Sequence, residues 1–384
     1  MHVVIIGGGI MGASTAWWLT RRPDPPGVTV VEPDPALKRS ATMLSAGGIR
    51  QQFSKPDNVR ASAFGWWFLS RARELLGEDV GLRRRGYLIL AGPAEADALA
   101  RAVAMQRAEG AATELLTPGS IAARFPWLSV AGVAAGAIGR DEGWFDPAAL
   151  HRGLKRGAQA AGARWIRAEA SGFEVEAGRI GAVLLADGGR LPCDAAVNAA
   201  GPRAGQVAAW AGIALPVRPD IRTVFHLTAP DSAAIAAAAP LIVDPAGVWV
   251  RPEGAGFIAG AASARQPDDP WSLPVDWNLF EARIWPVLAR RVPAFERLRV
   301  AGAWAGPYDW NEVDQDGILG ADPACPNLFH ITGFSGHGLQ HAPAAGRALA
   351  AMILPGTDPG APELAGLDIA RLRAGSARAE TAII

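Results

Sequence analysis

Gly7, Gly9 and Gly12 fall at the spacing G-x-G-x-x-G directly after the apolar run His2-Val-Val-Ile-Ile6, and Glu32 closes a second apolar run, Val28-Thr-Val-Val-Glu32. Those residue types at that spacing can hold the pyrophosphate of a dinucleotide. Gly7 permits a tight turn, Gly9 lets backbone approach the phosphates, and Gly12 lets the next helix lie close to the strand before it. Ile10 and Met11 open that helix. Its first N–H groups and positive dipole end favour an anion. Glu32 stands about twenty residues past the glycines, where an acid accepts hydrogen bonds from a ribose 2′-hydroxyl. A carboxylate there disfavours a 2′-phosphate, and so disfavours NADP.

This chemistry needs a strand, a glycine turn, a helix and a strand. The flanking runs are mostly β-branched, as in strands covered on both faces. The first helix is expected from Ile10 to Arg22, stopped by Pro23-Asp-Pro-Pro-Gly27. Near the other end, Asn327-Leu-Phe-His-Ile-Thr332 is a strand running into Gly333-Phe-Ser-Gly-His-Gly338, with an alanine-rich helix from Ala342 to Ile353 behind it. Cys193 to Gly201 is another strand ending in a glycine turn. Glycines beside polar side chains in Ala46-Gly47-Gly48-Ile49-Arg50-Gln51-Gln52 mark either backbone lying close to a ligand or a simple loop. Asp57 is positioned to cap a helix over about Asn58 to Leu76, and Asp146-Pro147 to cap one reaching about Ala161. Only the tail after Leu354 reads as loose.

A parallel sheet accepts a C-terminal strand beside the first unit, with both glycine turns at its carboxyl edge. The expected fold class is therefore α/β with an α+β part: a discontinuous Rossmann-like nucleotide domain formed by residues 1–80, 145–215 and 315–384, and a mixed or antiparallel-sheet substrate domain formed by residues 81–144 and 216–314. At 384 residues the chain is long enough for both. Its 37 basic and 37 acidic residues balance, which points away from nucleic acid and anionic membrane surfaces. No apolar run has membrane-spanning length. Two distant cysteines, Cys193 and Cys325, form no metal or redox spacing. With a nucleotide motif that begins at residue 3, these features suggest a cytoplasmic enzyme without a targeting segment.

Five segments together carry a family resemblance: Gly7 to Gly12, Ser45-Ala-Gly-Gly-Ile-Arg50, Asn198-Ala-Ala-Gly201, Asp316-Gly-Ile-Leu-Gly320 and Gly333-Phe-Ser-Gly-His-Gly-Leu-Gln340. The chain resembles the D-amino-acid oxidase superfamily of flavoproteins, in its glycine/sarcosine oxidase and dimethylglycine dehydrogenase branch. Ser45 to Phe53 and Gly336 to Gln340 look especially like the mitochondrial flavoprotein type that assists assembly of respiratory complex I, and its bacterial relatives. The resemblance implies an extended FAD. Glu32 would hold the adenosine ribose, and Gly7, Gly9, Ile10, Met11 and Gly12 the pyrophosphate. Ala170, Ala200 and Gly201 would flank the ADP part. Ser40, Ser45, Ala46, Gly47, Gly48, Gly333, Ser335, Gly336, His337, Gly338, Leu339 and Gln340 would line the rest, with His337 beside the ring. The chemistry implied is oxidation of a C–N bond, with hydride transfer to flavin N5 and hydrolysis of the resulting imine. Donors would be small secondary or N-methyl amino acids or D-amino acids.

Three departures from that pattern sharpen the expectations. Gln340 stands where monomeric sarcosine oxidases carry a carboxylate-binding lysine. Ile258 aligns with the lysine that promotes their reaction with oxygen, so slow reoxidation by oxygen and an electron-acceptor protein or quinone are expected. Trp304-Ala-Gly-Pro307 and Met43-Leu44-Ser45 occupy the places where relatives carry a flavin-linking cysteine or histidine, so FAD should be non-covalent. With Gln340 neutral, Arg50 and Arg251 become candidates to grip a substrate carboxylate, Arg251 because strand alternation puts it on one face with Trp249, an expected pocket aromatic. The alternatives are a flavoprotein with mainly a binding or assembly role, and oxidation of a 2-hydroxy acid.

Overall fold

The structure, a computed structural model, describes residues 1–230, 232–263 and 266–382. Its opening strand, His2–Ile6, pairs in parallel with Gly27–Val31 on one side and Ala195–Asn198 on the other. Arg164–Ile166 extends this sheet beyond Gly27–Val31, and Cys325–Thr332 beyond Ala195–Asn198, both in parallel. Ile318–Asp322 closes it as an antiparallel edge, giving six strands. The central strands are buried on both faces, by helices on one and by the three-stranded sheet Ala170–Glu176, Arg179–Leu185, Arg190–Pro192 with the short helix Ala204–Ala209 on the other, which is why their sequences carry so little polarity.

The opening helix, Ile10–Leu19, packs against Gly338–Ile353. Contact is close: Ser14 Oγ donates to the Ala342 carbonyl at 2.7 Å, and a Cβ on Gly346 would meet Ser14 Oγ at 2.3 Å. The Pro56–Ser70 and Pro147–Ala160 helices complete this layer. Asp146 does cap the latter, accepting from the Ala148 N–H at 2.8 Å.

The second sheet has eight strands in the order Arg299–Asn311, Val217–Thr228, Gly256–Ala261, Trp249–Glu253, Leu241–Val243, Tyr87–Ala91, Ala135–Gly139 and Thr113–Leu116. Only the pairing of Leu241–Val243 with Tyr87–Ala91 is parallel, so this sheet is mixed. A separate apolar core lies on it, built around Phe225, Phe257 and Phe295.

Three local expectations are corrected. The helix after residue 55 comes in two pieces, Pro56–Ser70 and Ala72–Leu76, and Asp57 lies inside its first turn. Its carboxylate accepts from the Gly366 N–H at 2.6 Å instead of capping. The last long helix begins at Gly338, four residues before the expected Ala342, with Pro343 inside it. Gln340 and His341 therefore belong to its first turn. The tail after Leu354 is docked, not loose. Asp358 binds both Arg22 and Arg347 at 2.6 and 2.8 Å, Leu364, Leu367 and Ile369 are buried, and Arg371 pairs with Asp314 at 2.8 Å. Its anchors are isolated apolar residues and single acids meeting distant arginines, which leave no periodic signal.

Candidate active site

The Gly7–Met11 turn opens into an elongated cavity of about 480 Å³ running between the two sheets. Gly7 has φ +103°, and a Cβ there would meet the Ala199 carbonyl oxygen at 2.4 Å. A Cβ on Gly12 would lie 2.0 Å from the Gly7 carbonyl oxygen. Gly9 differs: its nearest neighbour would be Thr42 Oγ1 at 3.3 Å, so here the demand for glycine comes from the cavity side. The helix beginning at Ile10 has no side-chain cap from Gly9. Thr42, which the sequence reading missed, accepts from the Ile10 N–H at 3.0 Å and lines the cavity. Glu32 also lines it, with Oε2 accepting from the Gly8 N–H at 2.8 Å and Oε1 from the Asp34 N–H at 2.9 Å. Burial pushes its carboxyl up from the usual range.

At this end the wall includes Ser40, Ala170, Ala200 and Gly201. At the other end it includes Ser45, Ala46, Gly48, Trp249, Ser335, Gly336, His337, Gly338, Leu339 and Gln340. Of the residues singled out in the sequence, Gly12, Gly47, Gly333 and Arg251 do not line the cavity. The first three shape it from behind. Gly47, at φ +71°, passes within a Cβ's reach of the Phe145 carbonyl, 2.3 Å away, and Gly333, at φ +73°, packs on Ile318.

Arg251 requires a correction. Its guanidinium donates to the Ala46 carbonyl through Nε and Nη2 at 3.2 and 2.7 Å, and pairs with Glu253. It lies 5.2 Å from the Trp144 ring, in a different cavity. Alternation correctly puts Arg251 and Trp249 on one face. The Ala46 loop, however, crosses that face between them, so Arg251 braces the loop and does not reach the main cavity.

Arg50 is held differently. It lines the cavity and is only 4% exposed. Its guanidinium donates to the carbonyls of Gln52 and Ala382 and sits 4.0 Å over the Phe53 ring. Among the described residues no carboxylate lies within ion-pair distance of it. Burial lowers its pKa from the ordinary value, opposed by the negative ends of Tyr87, Glu380, Glu142 and Tyr308 around it. Arg222, another arginine of the wall, is by contrast already paired with Asp220 at 2.7 Å. The chain has two tyrosines, and both line the cavity beside Arg50. Sequence reading missed them, although a chain so poor in tyrosine that puts one on each of two strands carried a hint. Burial pushes the Tyr87 phenol up to about 12 and raises that of Tyr308, so both are neutral donors. Gln340 Oε1 accepts from the Arg50 N–H at 2.7 Å, which leaves its amide N–H groups for the cavity.

His337 is 3% exposed, and neither ring nitrogen has a hydrogen-bond partner among the described residues. Its Nε2 lies 3.5 Å from Asp316 Oδ1, within ion-pair range. Burial disfavours charge on Asp316, yet His337 and the Lys55 ammonium, 2.7 Å away, hold its carboxyl well below the usual range. Next to it, burial and His337 keep the His341 imidazole neutral.

Residues 2–352 match the family model described as DAO: FAD dependent oxidoreductase. The chain belongs to this family. It is 41% identical to FAD-dependent oxidoreductase domain-containing protein 1 of Bos taurus over 92% of this chain and 81% of that one. It is 25% identical to mitochondrial sarcosine dehydrogenase of Homo sapiens, over 92% of this chain but only 40% of the relative. Among solved structures, L-proline dehydrogenase from P. horikoshii superposes with a TM-score of 0.87 at 26% identity, covering 98% of this chain and 99% of that one.

The cavity fits FAD. The helix start, where Thr42 takes only the first N–H, and the open side of Gly9 suit a pyrophosphate, Glu32 suits a ribose, and His337, whose Nδ1 has no partner among the described residues, lines the far end. Trp304 Nε1 donates to the Leu44 carbonyl at 2.9 Å, so the segments Trp304-Ala-Gly-Pro307 and Met43-Leu44-Ser45 adjoin one another, and neither holds a cysteine or histidine that could link flavin. We expect acid precipitation to leave all yellow colour in the supernatant. Colour in the washed pellet would refute non-covalent binding.

Beneath Arg50 lies Glu142, 1% exposed, accepting from the Gln51 N–H at 2.7 Å and Gln52 Nε2 at 2.6 Å. Burial outweighs these donors and pushes its carboxyl up to about 7, from 4.5 in the unfolded chain. The folded protein thus holds the proton more tightly. The stability this contributes is fully present below about pH 4.5 and is lost as pH rises through about 7, on the order of 3 kcal/mol in all. Melting temperature should fall across that window in the native protein, and Glu142→Gln should flatten the fall. An equal slope in both would show that Glu142 is not the group responsible.

Proposed function

We propose that this flavoprotein oxidises the C–N bond of a small secondary or N-methyl amino acid. The observation that carries this reading is Arg50: a buried cation on the cavity wall, lacking a carboxylate partner among the described residues and flanked by Tyr87 and Tyr308. A substrate carboxylate would supply the missing charge, and a guanidinium can fix its orientation as well as its position. The named substrates of the similar dehydrogenases, sarcosine and proline, are both secondary amines bearing a carboxylate.

FAD, when bound, supplies the hydride acceptor. The chain's own residues have the other tasks. Arg50, with the Tyr87 hydroxyl and the Gln340 amide, anchors the carboxylate. Trp249 and Leu339 wall the apolar part of the substrate and exclude water. His337, whose Nε2 lies beside Asp316 and whose Nδ1 has no partner among the described residues, can take a proton from the incoming ammonium, leaving the neutral amine that oxidation requires. Positioning of this kind provides much of the rate where the cofactor carries the electrons.

The test is an anaerobic panel of N-methyl, cyclic and D-amino acids, with 2-hydroxy acids alongside, read by loss of flavin absorbance. Bleaching by secondary amino acids supports the reading. Bleaching by hydroxy acids alone would overturn it, and a flavin that stays oxidised throughout would favour a binding or assembly role.

A further inference from the structure

A second cavity of about 1060 Å³ lies on the other side of the Ser45-Ala46 loop and opens to solvent. Ser45 and Ala46 line both cavities, so the partition between them is one residue thick at that loop. The floor is apolar and aromatic. Ile258, Trp144 and Trp304 face it, and behind them the same cluster continues to Trp249 and Tyr87 of the first cavity. The walls carry donors: Arg251, stacked on Trp144, and Arg83 and His226, whose side chains make no hydrogen bond or ion pair among the described residues. Among the described residues of this wall, Glu253 is already bound to Arg251, and Asp146 caps its helix.

An aromatic floor with two donors, Arg83 and His226, that have no partner among the described residues, directly behind the loop that lines the cofactor's cavity, suits a planar apolar ring bearing carbonyl acceptors. We propose that this second cavity binds a quinone headgroup, which receives the electrons of the reduced flavin. The quinone gains two electrons and two protons and becomes the quinol; the reduced flavin gives up those two electrons and the N5 proton, and the second proton comes from water, since the cavity opens to solvent. Arg83 and His226 hold the carbonyl oxygens, and Trp144 and Trp304 hold the ring. This rests on FAD in the first cavity and names the acceptor for the proposed reaction, but it does not depend on which amine is oxidised.

Gly302 provides the test. It lines the second cavity opposite His226, and a Cβ added to it would meet nothing within 4 Å, so Gly302→Phe fills the space without a backbone clash. Holoenzyme is photoreduced without oxygen, which requires no amine, then mixed with a soluble short-tailed benzoquinone or with ferricenium. The native flavin should be reoxidised by both. Gly302→Phe should slow the quinone at least about tenfold and leave ferricenium nearly unchanged, and His226→Ala should slow the quinone to a smaller degree. Calorimetric titration of the same quinone into oxidised holoenzyme should show one saturable site, absent in Gly302→Phe. No saturable binding, equal quinone rates in native and variant protein, or reoxidation by an electron-transfer protein with the quinone inert would overturn the proposal. Failure of the amine reading shows separately, as an amine panel that bleaches nothing while photoreduced flavin still passes electrons to the quinone.

Discussion

Gly9→Ala protein should purify folded and without flavin. Gly9 has φ −65° and ψ −170°, extended backbone that alanine adopts freely. The only atom within 4 Å of the added Cβ is Thr42 Oγ1, at 3.3 Å, which a small rotation relieves. Nothing in the protein therefore resists this substitution. What resists it is the pyrophosphate, which must approach the backbone at this point. Overpacking of this sort costs about 1–3 kcal/mol or more, a loss of roughly ten- to a hundredfold or beyond in FAD affinity. Gly12→Ala makes the contrast. There the Cβ would sit 2.0 Å from the Gly7 carbonyl and 3.2 Å from Ile5 Cγ2, so helix and strand must separate. That variant should lose both FAD and melting temperature. Flavin content and thermal unfolding of the two proteins check the pair. Gly9→Ala retaining stoichiometric FAD would mean that the phosphates do not pass this turn.

Arg50→Ala should weaken the response to carboxylate-bearing amines by about 10²–10³-fold, because a substrate carboxylate brought into a partly desolvated cavity without its partner costs roughly 3–5 kcal/mol. Amines without a carboxylate should be affected far less, and that difference is the diagnostic quantity. Arg50→Lys keeps the charge but loses the planar fork, so it should recover affinity better than the rate of flavin reduction, which depends on aim. Arg50 also ties the Gln52 and Ala382 carbonyls together, so some loosening of the tail is expected in either variant. FAD content and melting temperature separate that effect from substrate binding. Equal losses for amines with and without a carboxylate would show that Arg50 is structural.

Arg50 and Arg251 illustrate how far a sequence could lead. Both follow expected turns or strands beside the cofactor, and local pattern gave no way to rank them. Arg251 is turned to the Ala46 carbonyl and Glu253, whereas Arg50 lies on the cavity wall with no carboxylate within ion-pair distance among the described residues. The difference comes from where the Ser45-Ala46 loop runs across the sheet. Tyr87 and Tyr308 show the same limit. They lie more than two hundred residues apart on strands at different places in the eight-stranded sheet, and only the assembled fold brings both beside Arg50. The docked tail escaped detection because its anchors, Asp358, Leu364, Arg371 and Glu380, each meet a partner far away in sequence.

The sequence by itself determined the nucleotide turn, the α/β class with its mixed second sheet, the family and FAD. Each of these rests on local constraints. A glycine that admits no Cβ, a β-branched run buried on both faces and an acid at a strand's end all act within one strand–turn–helix unit. Only the tertiary structure decided which arginine faces the cavity, which tyrosines join it, that burial raises the pKa of the Glu142 carboxyl beneath it, and that a second cavity lies behind one loop. These properties depend on burial and on contacts between distant segments. Charge without a partner and space without an occupant are defined by the whole enclosure and have no signature in any one stretch of chain.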